Sequence, residues 1–118
     1  MNALFEVLHI LLDLRFVLMV LLGSLAGLMV GAIPGLSVSM ATALLVSVTY
    51  TWAVGDALAM VMGVYVVGVF AGAISAILIN IPGAPSSVVT TLDGYPLARQ
   101  GRAHEALKYA TWYSFIGS

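Results

Sequence analysis

Asn80-Ile81-Pro82-Gly83-Ala84-Pro85-Ser86-Ser87 interrupts an uncharged apolar run, and an earlier stretch does the same: Ala32-Ile33-Pro34-Gly35-Leu36-Ser37-Val38-Ser39. Proline lacks the backbone donor and clashes with the preceding turn, and glycine relaxes the residue that follows, so a helix is expected to stop at each Ile-Pro-Gly. The serines beyond each break suit the N-cap of a new helix. A helix end within lipid exposes backbone groups that must find protein, water or a ligand. Two such breaks in one short chain therefore suggest a binding site. The plainer reading is a pair of kinks or loops at the membrane surface.

Composition narrows the class. The 118 residues are 62% hydrophobic and 8% charged, with a mean hydropathy of +1.12, which excludes a soluble domain. No charge occurs between Phe16 and Gly55, nor between Ala57 and Leu92. Each run exceeds the roughly 20 residues that cross a bilayer as a helix. No dense basic patch points to nucleic acid. The absence of cysteine excludes disulfides, thiol catalysis and cysteine-type metal sites. Glu6 and Asp13 before the first run argue against a cleaved signal peptide, as do the apolar runs after it. The closing Trp112-Tyr113-Ser114-Phe115-Ile116-Gly117-Ser118 stops within an apolar pattern, as expected of a piece of something larger.

Residues 2–14 read as an amphipathic helix, with Asn2, Glu6, His9 and Asp13 on one face and Leu4, Phe5, Leu8, Leu11 and Leu12 opposite. It suits the membrane interface. Residues 16–33 form the first membrane segment, where Gly23, Gly27 and Gly31 recur every fourth residue and would let another helix approach closely. Residues 36–54 form the next segment, capped by Ser37 or Ser39 and closed by the interfacial aromatics Tyr50 and Trp52. Gly55-Asp56 then turns the chain, with Asp56 a candidate N-cap for residues 57–80. In that third segment Gly68, Gly72, Ala76 and Asn80 share a face, and Asn80 either caps the helix or contacts a ligand. Asp93-Gly94 signals a turn, and Pro96 suits the first turn of a new helix. Arg99, Arg102 and Lys108 mark the cytoplasmic side. Arg15 prefers that side too, which demands an even number of crossings where three segments give an odd one. Either one segment pair is a re-entrant hairpin, or Arg15 is a poor marker.

Chemistry has few places to live. The sequence holds no catalytic triad, carboxylate pair, histidine cluster or phosphate loop, so an enzyme is not expected. Helices starting after Gly35 and Gly83 would instead present free N–H groups and positive dipole ends. Hydroxyls from Ser37, Ser39, Ser86, Ser87, Thr90 and Thr91 add donors without a buried cation, which fits a carboxylate that must be bound and released. The carbonyls exposed before each proline suit a Na⁺ ion, and interrupted segments in matching positions point to a transporter site.

The stretch Ala76-Ile77-Leu78-Ile79-Asn80-Ile81-Pro82-Gly83-Ala84-Pro85-Ser86-Ser87 and its continuation through Leu92-Asp93-Gly94-Tyr95-Pro96-Leu97-Ala98-Arg99-Gln100-Gly101-Arg102 resemble the large membrane subunit of tripartite tricarboxylate transporters. Gly31-Ala32-Ile33-Pro34-Gly35-Leu36 is similar to that family's first Pro-Gly-Leu signature. The resemblance covers nearly the whole chain beyond the first helix and corresponds to the N-terminal part of the family's subunits. It implies secondary uptake of carboxylates across a bacterial inner membrane, driven by a Na⁺ or H⁺ gradient. It also implies two partners, a small membrane subunit and a periplasmic solute-binding protein. Ser37-Val38 stands where the family often has Gly-Pro, and Ala84 where it often has a polar or acidic residue. Both positions bear on substrate choice.

The expectation is thus all-α: a polytopic helical membrane protein with Pro-Gly-interrupted helices, discontinuous or re-entrant. Residues 1–15 form an interfacial helix, and residues 16–118 the N-terminal transmembrane portion of a transporter subunit. The candidate substrate-binding residues are Pro34, Gly35, Ser37 and Ser39 at the first break, and Asn80, Pro82, Gly83, Ser86, Ser87 and Thr90 at the second. No cofactor is expected beyond the coupling ion. The alternative is a small helical membrane scaffold, which the glycine stripes alone would support.

Overall fold

In the computed structural model, which describes residues 1–117, helices end at both Ile-Pro-Gly stretches. Ser118 lies outside the described residues. The helices are α1 (Asn2–Leu11), α2 (Leu14–Ala32), α3 (Val38–Val48), α4 (Val54–Ile79), α5 (Val88–Leu97) and α6 (Ala103–Gly117), with no strand among the described residues. α2 and α4 are long and apolar enough to cross a membrane.

Glycine decides how these helices meet. Gly23, Gly27 and Gly31 are the buried residues of α2, and they lie against the backbone of Met60, Val64 and Gly68 of α4. A Cβ on Gly27 would stand 2.5 Å from the Val64 carbonyl oxygen, and Gly23 and Gly31 leave still less room. Gly63 returns the fit, with the Val20 carbonyl 2.9 Å from where its Cβ would be. Such contact gains dispersion between two backbones, a force that operates even where the surroundings are as apolar as the helices. The expected packing stripe is present, and its partner is α4.

The register fixes direction. Position 23 meets 60, 27 meets 64 and 31 meets 68, so α2 and α4 run parallel. Residues 33–53 must therefore return the chain to the starting end. α3 does this with Val38 packed on Gly68, followed by a tight turn at Thr49–Thr51. This element is shorter than the segment expected over residues 36–54. At 1.5 Å per residue α3 covers about 17 Å, against about 28 Å for α2 and about 39 Å for α4. At the starting end Asp13 caps α2 by accepting the Arg15 amide at 3.2 Å. Asp56 is not the N-cap of α4, a place taken by Ala53. It sits in the first turn and pairs with Arg15 at 2.8 Å.

α4 ends where Asn80 adopts a left-handed conformation, φ 59°. The chain then doubles back along its own helix, and the Gly83 amide donates to the Gly72 carbonyl at 3.3 Å, about two turns inside the end of α4. From there α5 climbs again beside α4, so that Gly94 meets Ile77. Two sequence expectations fail here. Asp93-Gly94 is not a turn but part of α5, because Gly94 is needed for helix packing: a Cβ would lie 2.7 Å from Ile77 Cγ1. Pro96 falls near the end of α5 rather than in a first turn. The true corner is Gly101, φ 79°, after which α6 returns with Ala106 buried. Arg99 and Arg102 therefore lie at the opposite end of α4 from Arg15.

The chain is only 18 Å across its thinnest direction, and many large apolar side chains are exposed, among them Leu21, Leu25, Met29, Leu44, Leu58 and Met62. α1 buries none of its residues. Apolar exposure on this scale suits lipid or further protein, not water.

Candidate functional site

The first and second breaks meet. α2 delivers the first break to the level of Gly68, and the doubled-back segment brings the second to Gly72. Gly83 has no room for a side chain: its Cβ would collide with the Gly31 carbonyl and stand 2.8 Å from the Gly72 Cα. The two glycine-based contacts seat one break on the other. Between them opens a cleft of about 330 Å³ lined by Gly35, Leu36 and Ser37 from the first break, and by Pro82, Gly83, Ala84, Pro85 and Val88 from the second. That volume is at the small end of ligand pockets.

Ser37, just before α3, is the hydroxyl residue in its wall. Ser37 is the N-cap residue, with extended backbone and no side-chain capping bond. Its carbonyl takes the first helical bond, from Ala41 at 3.0 Å. The amides of Val38, Ser39 and Met40 precede that bond and have no acceptor within the helix. Gly35 holds φ 96°, a conformation side chains rarely adopt, with nothing within 4 Å of where a Cβ would be. The break thus turns sharply and still leaves the cleft open on that side.

Of the ten sequence candidates, Gly35, Ser37, Pro82 and Gly83 line this cleft. Pro34 is half-buried beside it in sequence but not in its wall, and Ser39 is exposed, its carbonyl accepting the Thr42 hydroxyl at 2.9 Å. Asn80 is exposed at the reversal, where it caps α4. Ser86 is exposed, whereas Ser87 is 3% exposed and packs on Gly72, facing α4 instead of the cleft. Thr90 lines a separate, largely apolar cavity of about 610 Å³ between α4, α5 and α6, together with Asp93, Tyr109 and Tyr113. The sequence reading missed Ser75, which is buried and donates to the Gly72 carbonyl at 3.1 Å. Its place three residues after Gly72 in a stripe of small residues was the available signal. Among the described residues no three histidine or carboxylate side chains gather to hold a metal.

Two long apolar helices, a glycine-tight crossing and a cleft between two helix breaks describe an all-helical chain with two candidate membrane spans. The chain belongs to the tripartite tricarboxylate transporter TctA family, whose pattern matches residues 17–118. A relative in Agrobacterium vitis, described as an uncharacterized 52.8 kDa protein in the TAR-I ttuC′ 3′ region, is 43% identical over 94 residues. That match covers 80% of this chain and 19% of the relative, so the chain spans about a fifth of the curated protein it matches. No solved structure matches.

Proposed function

We propose that this chain is the N-terminal portion of the large membrane subunit of a secondary transporter that takes up tricarboxylates or related carboxylates. The observation that carries the reading is the shared cleft, since two breaks far apart in sequence are held side by side by Gly31, Gly72 and Gly83. An anion entering it would meet Ser37, the N-cap residue of α3, beside the positive end of that helix dipole. No lysine or arginine lines it. A carboxylate held by dipoles and hydroxyls is bound without the deep well a buried ion pair would create, and release stays easy.

In this account α2 and α4 cross a bacterial inner membrane, the shorter α3 returns the chain between them, and the Arg99, Arg102 and Lys108 end faces the cytoplasm. Both breaks then lie within the length of α4, the second about two turns short of its end, so the cleft sits inside the membrane-spanning part as interrupted segments place a transported substrate. A small membrane subunit and a periplasmic solute-binding protein complete the transporter, and a Na⁺ or H⁺ gradient drives it. The breaks supply two carboxylate-side walls only, and other parts of the subunit close the site. The test is uptake into proteoliposomes holding the complete subunit and its partners, across mono-, di- and tricarboxylates including citrate. Accumulation that needs both an ion gradient and the binding protein supports the reading. Gradient-independent behaviour with every compound would reject it.

A further inference from the structure

We propose that Ser75 is a positioning residue of the cleft, and that it sets substrate affinity without touching substrate. This rests on the reading of the cleft as the carboxylate site. One carbonyl, that of Gly72, receives both the Ser75 hydroxyl at 3.1 Å and the Gly83 amide at 3.3 Å. The hydroxyl has a single hydrogen, and the bond to Gly72 uses it. Ser75 Oγ also lies 3.0 Å from where a Gly83 Cβ would stand, so it walls the far side of Gly83 while Gly31 walls the near side. Around it the core is apolar: Ala71, Ala76 and Ile77 are all at or below 1% exposure. A hydroxyl in such a place fixes geometry, because its bond has no water to compete with.

The consequence reaches the cleft through the backbone. Gly83 is both the residue anchored at Gly72 and a residue of the cleft wall, next to Ala84 and Pro85. The Ser75 bond lies within α4, and the Gly83 amide is what ties the second break to Gly72; removing the Ser75 hydroxyl leaves that tie in place but opens space beside Gly83, where Ser75 Oγ had walled it. The second wall then loses its register against Gly35 and Ser37. A buried hydroxyl elsewhere provides the control. Thr49 is 3% exposed and makes the same kind of backward bond, to Leu45 at 2.7 Å, at the end of α3 remote from the cleft.

The test compares Ser75→Ala, Ser75→Cys and Thr49→Ala in the complete transporter, using whichever carboxylate of the panel, citrate included, stabilises the wild type most. Ser75→Ala is expected to raise the dissociation constant and KM by up to about tenfold at unchanged Vmax. Ser75→Cys, which keeps a weak donor, should fall between. Thr49→Ala should lower the melting temperature by a similar amount and leave affinity alone. A second readout needs no substrate: a cysteine placed at the exposed Ser86 should be alkylated faster in the Ser75→Ala background. Equal melting shifts for both alanine variants, with unchanged affinity and alkylation, would overturn the proposal. If no carboxylate binds the wild type, the carboxylate reading falls instead, and faster alkylation at position 86 would still support the positioning role.

Discussion

Gly27 is the midpoint of the crossing between α2 and α4, and adding one methyl group there tests the packing directly. In Gly27→Ala the new Cβ would lie 2.5 Å from the Val64 carbonyl oxygen and 2.8 Å from the Val64 Cα. Ordinary contact begins near 3.4 Å, and the obstacle is backbone, which cannot rotate aside. The helices must therefore part by about 1 Å, and a gap of that size forfeits roughly a quarter to a half of each neighbouring contact's dispersion energy. Overpacking of this kind costs about 1–3 kcal/mol, against a gain of up to about 1 kcal/mol from the better helix propensity of alanine. The net expectation is a loss of about 1–2 kcal/mol, where the propensity term alone predicts a gain. Gly55→Ala is the control, since it lies in the first turn of α4 with nothing within 4 Å of the added atom. Thermal unfolding of the purified transporter in detergent reads both. A Gly27→Ala protein that melts at or above the wild type, as Gly55→Ala should, would refute the crossing.

Other consequences are simpler. Ser37→Ala should weaken carboxylate binding about tenfold to a hundredfold, the worth of a hydrogen bond to a charge, and titration of the complete transporter would read it. It should barely change thermal stability, because Ser37 makes no capping bond. Gly35→Ala should cost about 1–2 kcal/mol from its left-handed φ although no neighbour obstructs it, and the same melting assay decides. Asp56→Asn removes the partner of an arginine that is 69% exposed, so the stability loss should stay within about 1 kcal/mol. A cysteine at Gln100 should resist a membrane-impermeant thiol reagent in intact cells and react after lysis; labelling of intact cells would reverse the orientation.

The sequence carried the breaks and the packing stripes because both depend on local chemistry. Proline lacks a donor wherever it stands, and glycines at four-residue spacing form a groove on any helix. What it could not carry was which surface each groove meets. Asp93-Gly94 has the composition of a turn, yet Gly94 is spent on contact with Ile77, and the corner moves to Gly101. Ser87 reads as a ligand-facing hydroxyl, yet the doubling back of the chain turns it onto Gly72. Asp56 reads as a cap, but Arg15 comes within reach only once α2 and α4 run parallel. Pro34, Ser39, Ser86 and Thr90 satisfy the same local pattern as Gly35 and Ser37 and still fall outside the cleft. Local pattern placed the breaks. Their convergence came from the long-range fit of Gly31, Gly72 and Gly83.

That convergence is the central claim, and substrate protection measures it. Single cysteines at Ser37 and at Pro85, one on each wall of the cleft, would be alkylated in the complete transporter over a titration of its best carboxylate. One molecule bound between the walls should slow both reactions, with the same half-protecting concentration for each. Protection of one position while the other reacts at its unliganded rate would contradict a shared site.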